Sequence, residues 1–129
     1  MIPERYAPMT YALFRIVFGF LFLCFGLQKM FGLFGGQVAP LMSLMGAAGV
    51  VETVCGLLIM VGLLTKPAAF LASGEMAVAF VWIHLRLMGA IPLVNMGERS
   101  TMFCFAFLYI ATRGAGICSA DHAIGSGRR

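Results

Sequence analysis

Four apolar runs, each long enough to cross a bilayer, dominate this 129-residue chain, and ionisable side chains lie inside three of them. The runs cover residues 9–31, 41–63, 67–88 and 96–112. A helix needs about 20 residues to span hydrocarbon. Arg15, Glu52 and Glu75 each interrupt a different run. A charge facing lipid is costly, so such groups turn inward towards one another, a water pocket or a ligand. With 61% hydrophobic and only 11% charged residues, the chain reads as one all-α membrane domain over residues 1–129, a membrane-spanning four-helix bundle.

Turn chemistry separates the spans. Gly32-Leu33-Phe34-Gly35-Gly36 closes the first, and Pro40 opens the second. Thr65-Lys66-Pro67 makes a tight turn in which Thr65 caps the third helix and Pro67 occupies its first turn. Asn95 followed by Glu98 resembles a capping box for the fourth helix. Arg113 and Gly114 end that helix and leave a short tail, 113–129. Four spans put both termini on one side. Arg5, Lys66, Arg113, Arg128 and Arg129 share that side, against Lys29, Arg86 and Arg99 opposite, which favours cytoplasmic termini.

The net charge of +4 is spread along the links and forms no dense basic patch, so nucleic acid is not an expected partner. The expected partners are the lipid bilayer and other membrane protein subunits. The four cysteines form no C-x-x-C pair, and no metal site is expected.

At about 1.5 Å of rise per residue, Arg15, Glu52 and Glu75 fall near a common depth. Arg15, Gly19, Phe22, Gly26 and Lys29 share one face of the first helix, and Glu52 shares its face with Gly49 and Gly56. Glycines let helices approach closely, so a tight seam carrying an Arg15–Glu52 ion pair is expected. One arginine with two acids leaves a carboxylate without a full partner, a group able to exchange protons. The plainer expectation is a salt bridge that fixes helix register and faces no ligand.

A second polar group, Gln28, Lys29, His84, Arg86, Asn95 and Glu98, gathers at the outer end. Lys29 and Arg86 are of a kind that snorkels to the interface. His84 follows Glu75 by nine positions, which on a regular helix puts it on nearly the opposite face, outside the buried group.

The order Arg15, Gly19, Gly26-Leu27-Gln28-Lys29, then Glu52, Gly56-Leu57 and Gly62-Leu63-Leu64-Thr65-Lys66, resembles the DoxX family of small four-helix membrane proteins. Met76, His84, Asn95, Glu98 and the ending Gly114-Ala115-Gly116-Ile117-Cys118-Ser119-Ala120-Asp121 continue the resemblance over nearly the whole chain. Ala115 departs from it where many members carry proline. The resemblance implies a bacterial or archaeal cytoplasmic (inner) membrane protein. It also implies an association with sulfur-compound oxidation, quinone reduction or redox defence.

Three functions follow as expectations. The first is a small subunit of a quinone-linked redox complex, with Arg15, Glu52, Glu75, Lys29, His84 and Glu98 as ligand-binding or proton-relay candidates and quinone as the ligand. The second is a non-catalytic structural or assembly subunit. The third is a small-solute transporter, disfavoured by few spans and no broken helices.

Overall fold

The computed structural model describes residues 1–86, 89–93 and 97–127, and the chain folds into a helical bundle. Helix α1 runs Ala7–Phe31, α2 Leu44–Val61, α3 Thr65–Ala79, α4 Glu98–Arg113 and a short tail helix, α5, Ala120–Gly127. A wide π-helical turn, Phe80–Leu85, extends α3. With their extensions, the three spans Glu4–Phe31, Leu44–Val61 and Thr65–Leu85 are long and apolar enough to cross a membrane. The 16-residue α4 is shorter and completes the bundle.

Local chemistry sets the boundaries. Pro8 sits in the first turn of α1, where its missing N–H costs nothing, and Gly32 ends the helix in a left-handed conformation at φ 69°. The second helix begins three residues beyond the expected 41, because the Ser43 side chain caps it by accepting the Gly46 N–H at 3.0 Å. The link to α3 is the Gly62–Leu64 stretch, with Gly62 at φ 76° and Leu64 at φ 49°. Thr65 is therefore the first helical residue of α3 rather than its cap. Gly97 is the N-cap of α4, and Asn95 of the expected capping box lies outside the described residues. Arg113 and Gly114 end α4 as expected.

Packing divides the bundle into two close pairs, α1 with α2 and α3 with α4. Small residues explain both. A Cβ at Gly19 would lie 2.5 Å from the Met60 nitrogen, and one at Gly56 would lie 2.5 Å from the Leu23 nitrogen. Backbone therefore rests on backbone, the close approach that glycine permits between helices. On the other pair, Ala69 and Ala72 are fully buried and Ser73 donates to the Cys104 carbonyl at 2.8 Å.

Aromatic rings fill the space between the pairs. Phe22 of α1 meets Phe107 and Phe103 of α4 at centroid distances of 4.7 and 5.6 Å, within the range of favourable ring contacts. Outward faces carry exposed Leu13, Val17, Phe20, Phe70, Leu71 and Val78, as a lipid-facing surface requires.

Both chain ends gather at one end of the bundle. Tyr11 donates to the Gly114 carbonyl at 2.5 Å, and Asp121 reaches the start of α3. The tail is thus folded back onto the bundle, with a helix where only a glycine-rich ending was expected.

Candidate functional site

The close α1–α2 contact fixes which polar residues meet. Gly19 faces Met60, Leu23 faces Gly56, and Gly26 faces Thr53 and Glu52. This antiparallel register puts Glu52 about three turns along α1 from Arg15, on the order of 16 Å. The expected Arg15–Glu52 ion pair is absent. Both oxygens of Glu52 instead accept from the Lys29 ammonium, at 2.6 and 2.7 Å. Lys29 is 20% exposed and Glu52 2%. The later start of α2 is one cause, because it moves Glu52 about 4.5 Å nearer the end of the bundle far from the termini. The other is that Lys29 turns inward rather than snorkelling.

Arg15 occupies a different place. It is fully buried, and Nη1 donates to the Ile59 and Met60 carbonyls at 2.8 and 2.9 Å. Nη2 donates to the Cys118 carbonyl at 2.7 Å. These acceptors are the last carbonyls of α2, the negative end of its dipole, and the tail that folds over them. Arg15 therefore clamps the terminal end of the bundle. It does not line the cavity described below.

Asp121 completes that clamp. Its Oδ1 and Oδ2 accept from the backbone N–H groups of Leu64 and Thr65, each at 2.9 Å. A carboxylate at a helix start satisfies orphan donors and complements the positive end of the dipole. Partial burial pushes the Asp121 carboxyl up, but the Thr65 and Leu64 N–H groups more than reverse this and hold it below the ordinary carboxylate range.

At the far end, the four helices enclose a cavity of about 160 Å³. Phe25 and Lys29 come from α1, Glu52 from α2, Glu75 from α3, and Ser100 and Phe103 from α4. Met45, Met76 and Trp82 add apolar wall, while His84 and Arg99 add further polar lining. Lys29 and Glu52 form a closed pair, whereas Glu75 Oε2 is buried with no hydrogen-bond partner among the described residues. The cavity thus joins apolar walls, with Phe22, Phe25, Trp82 and Phe103 among them, to the unfilled Glu75 oxygen. Such a combination suits a small, mostly apolar molecule with a polar group.

His84 lines this cavity together with Glu75, contrary to the regular-helix expectation. The π-helical turn Phe80–Leu85 is responsible. A turn that takes in an extra residue rotates the chain less per residue, which brings position 84 back towards the Glu75 side. Insertions of this kind recur at functional sites.

The cavity therefore gathers Lys29, Glu52, Glu75 and His84, and leaves out Arg15 and the exposed Glu98. Glu98 stands at the first turn of α4, where an acid favours the helix dipole. Arg99 and Ser100 are lining residues that sequence reasoning missed. Arg99 lies over the Phe25 ring at 4.3 Å, a cation–π contact that turns it towards the bundle. The available signal for Lys29 and Glu52 was the glycine spacing, since Gly26 precedes Lys29 by three residues and Gly49 precedes Glu52 by three.

Residues 10–85 match the DoxX family. That stretch holds Arg15, Lys29, Glu52, Glu75 and His84. The chain is also 35% identical over 125 residues to an "Uncharacterized protein" of Haemophilus influenzae (strain ATCC 51907 / DSM 11121 / KW20 / Rd). The match covers 92% of this chain and 93% of that protein. No solved structure matches the chain.

Proposed function

The chain belongs to the DoxX family of membrane proteins, and from that premise we propose that it is a small subunit of a quinone-linked membrane redox complex. The cavity between the four helices is the head-group site. The observation that carries this reading is the unfilled Glu75 oxygen in a cavity whose apolar wall includes Phe22, Phe25, Met76 and Phe103. A quinone head group is flat, mostly apolar and polar only at its ring oxygens, which in the quinol form carry protons that can be donated to Glu75, and these features match such a site.

In this reading Lys29 and Glu52 hold α1 to α2 beside the ligand, and Glu75 and His84 are the groups that handle its protons. Redox partners dock on the exposed apolar faces and carry the electrons. The chain sits in a bacterial or archaeal cytoplasmic membrane. The excess of Lys and Arg at the terminal end supports cytoplasmic termini, with the cavity then near the opposite face.

The test is to purify the protein from native membranes, extract it with organic solvent and quantify quinone per chain. Near-stoichiometric quinone plus quinol in the wild type supports the reading. A quinone-free protein that migrates in a large native complex, unchanged by Glu75→Gln or Glu52→Gln, contradicts it and favours the alternative of an assembly subunit.

A further inference from the structure

The two acids of the cavity are not equivalent. Both oxygens of Glu52 have a partner, because each accepts from Lys29. Glu75 Oε2 is buried and unfilled among the described residues, and Glu75 lines the same cavity. An unmet polar atom in apolar surroundings is unfavourable until a ligand supplies its partner. Whatever enters gains most by bringing a hydrogen-bond donor to that oxygen.

Donors stand on other parts of the wall. Lys29 spends hydrogen bonds on Glu52 but has a third N–H, and Arg99 lines the cavity while stacked on Phe25. A ring with two hydroxyl groups suits both kinds of partner. One hydroxyl donates to Glu75, and the other accepts from Lys29 or Arg99. A ring with two carbonyl groups only accepts, so it meets the cationic donors but turns lone pairs towards Glu75, which in its ionised form has no proton to donate.

We propose that Glu75 is the residue that discriminates the ligand's redox form, holding the dihydroxy (quinol) form in preference to the dicarbonyl (quinone) form. The inference rests on the quinone-site reading above and deepens it by assigning redox-form selectivity to one side chain. Phe25, Phe103 and Trp82 provide ring faces for either form and add little to the choice.

Trp82 is the only tryptophan in the chain and it lines the cavity, so its fluorescence reports occupancy without a label. The full-length protein in detergent would be titrated anaerobically with tetramethyl-benzoquinone and, separately, with its quinol, correcting for absorbance. Ring-substituted probes avoid addition to the free cysteines. The quinol is expected to bind at least about tenfold more tightly, the factor for one well-made hydrogen bond to a charged or polar partner. Glu75→Leu should abolish that ratio while still binding both forms. The near-isosteric Glu75→Gln, whose amide both donates and accepts, should bring the two affinities together and guards against misfolding of the leucine variant.

Equal affinities in the wild type, or an unchanged ratio in both variants, would overturn the inference while leaving the quinone site standing. Failure of the wild type to bind either form would overturn the site reading itself, and this inference with it.

Discussion

Lys29 of α1 donates to both carboxylate oxygens of Glu52 on α2, at 2.6 and 2.7 Å, and Glu52 is 2% exposed. The pair stands beside the glycine seam that sets the α1–α2 register. It keeps the buried Glu52 satisfied at the level of the cavity that also holds Glu75 and His84.

Removing one partner should be worse than removing both. Lys29→Met leaves a buried carboxylate unpaired and should lower stability by about 3–5 kcal/mol. The double variant Lys29→Met/Glu52→Leu replaces the pair with apolar groups and should recover most of that loss. Unfolding in detergent measures both. A single variant as stable as the wild type would remove the pair from the account.

Arg15 should matter through its geometry as well as its charge. Arg15→Ala strands the Ile59, Met60 and Cys118 carbonyls and should cost about 2–4 kcal/mol, given 1–3 kcal/mol for each stranded group and incomplete additivity. Arg15→Lys keeps the charge but loses the fork that reaches both α2 and the tail, so it should recover only part. Limited proteolysis should then cut within residues 114–127. A tail as resistant as that of the wild type would contradict the clamp.

Asp121 gives that clamp a pH dependence. Its folded-state pKa lies below the unfolded value of about 3.9, so its contribution is fully present above that value. The contribution fades as pH falls through the folded value, because protonation removes the charge that binds the N–H groups. Asp121→Ala should therefore cost about 1 kcal/mol at pH 7, the usual loss for a helix cap. The gap to the wild type should narrow below about pH 4. A gap that stays constant from pH 7 to pH 3 would speak against the carboxylate as the cap.

Two glycines should behave oppositely. Gly56→Val drives a side chain into the Leu23 backbone and should cost about 3 kcal/mol or more, or block folding. Gly74→Ala meets nothing within 4 Å on α3, and alanine favours the helix, so the change should be neutral or slightly stabilising. Comparable losses from both would show that the seam is not where the bundle is tight.

Hydropathy is enough to locate the three long spans, because a bilayer imposes both length and composition on them, whereas α4 is shorter than a span needs. Helical periodicity was enough to find the buried faces. Arg15, Gly19, Phe22 and Gly26 all lie inside, as do Gly49, Glu52 and Gly56. Pairing between helices was harder. It depends on register, and register depends on which backbone atoms touch at Gly19, Gly26 and Gly56. Counting Glu52 from residue 41 hid Lys29, since the Ser43 cap shifts the start of α2 inward along the sequence. His84 was misassigned because no residue between Phe80 and Leu85 announces a π-helical turn. The tail helix escaped notice because its anchors are distant in sequence: Arg15 and the start of α3 hold it, and Asp121 answers across 56 residues to Thr65.

The central claim is that the cavity at the end far from the termini receives a quinone head group. Light-activated labelling of membranes with an azido-quinone, mapped by mass spectrometry, tests it most directly. Label is expected on cavity-lining residues of α1, α3 and its π-helical extension, displaced by excess unmodified quinone. Label scattered over lipid-facing residues such as Leu13 and Phe70, and insensitive to competitor, would contradict it.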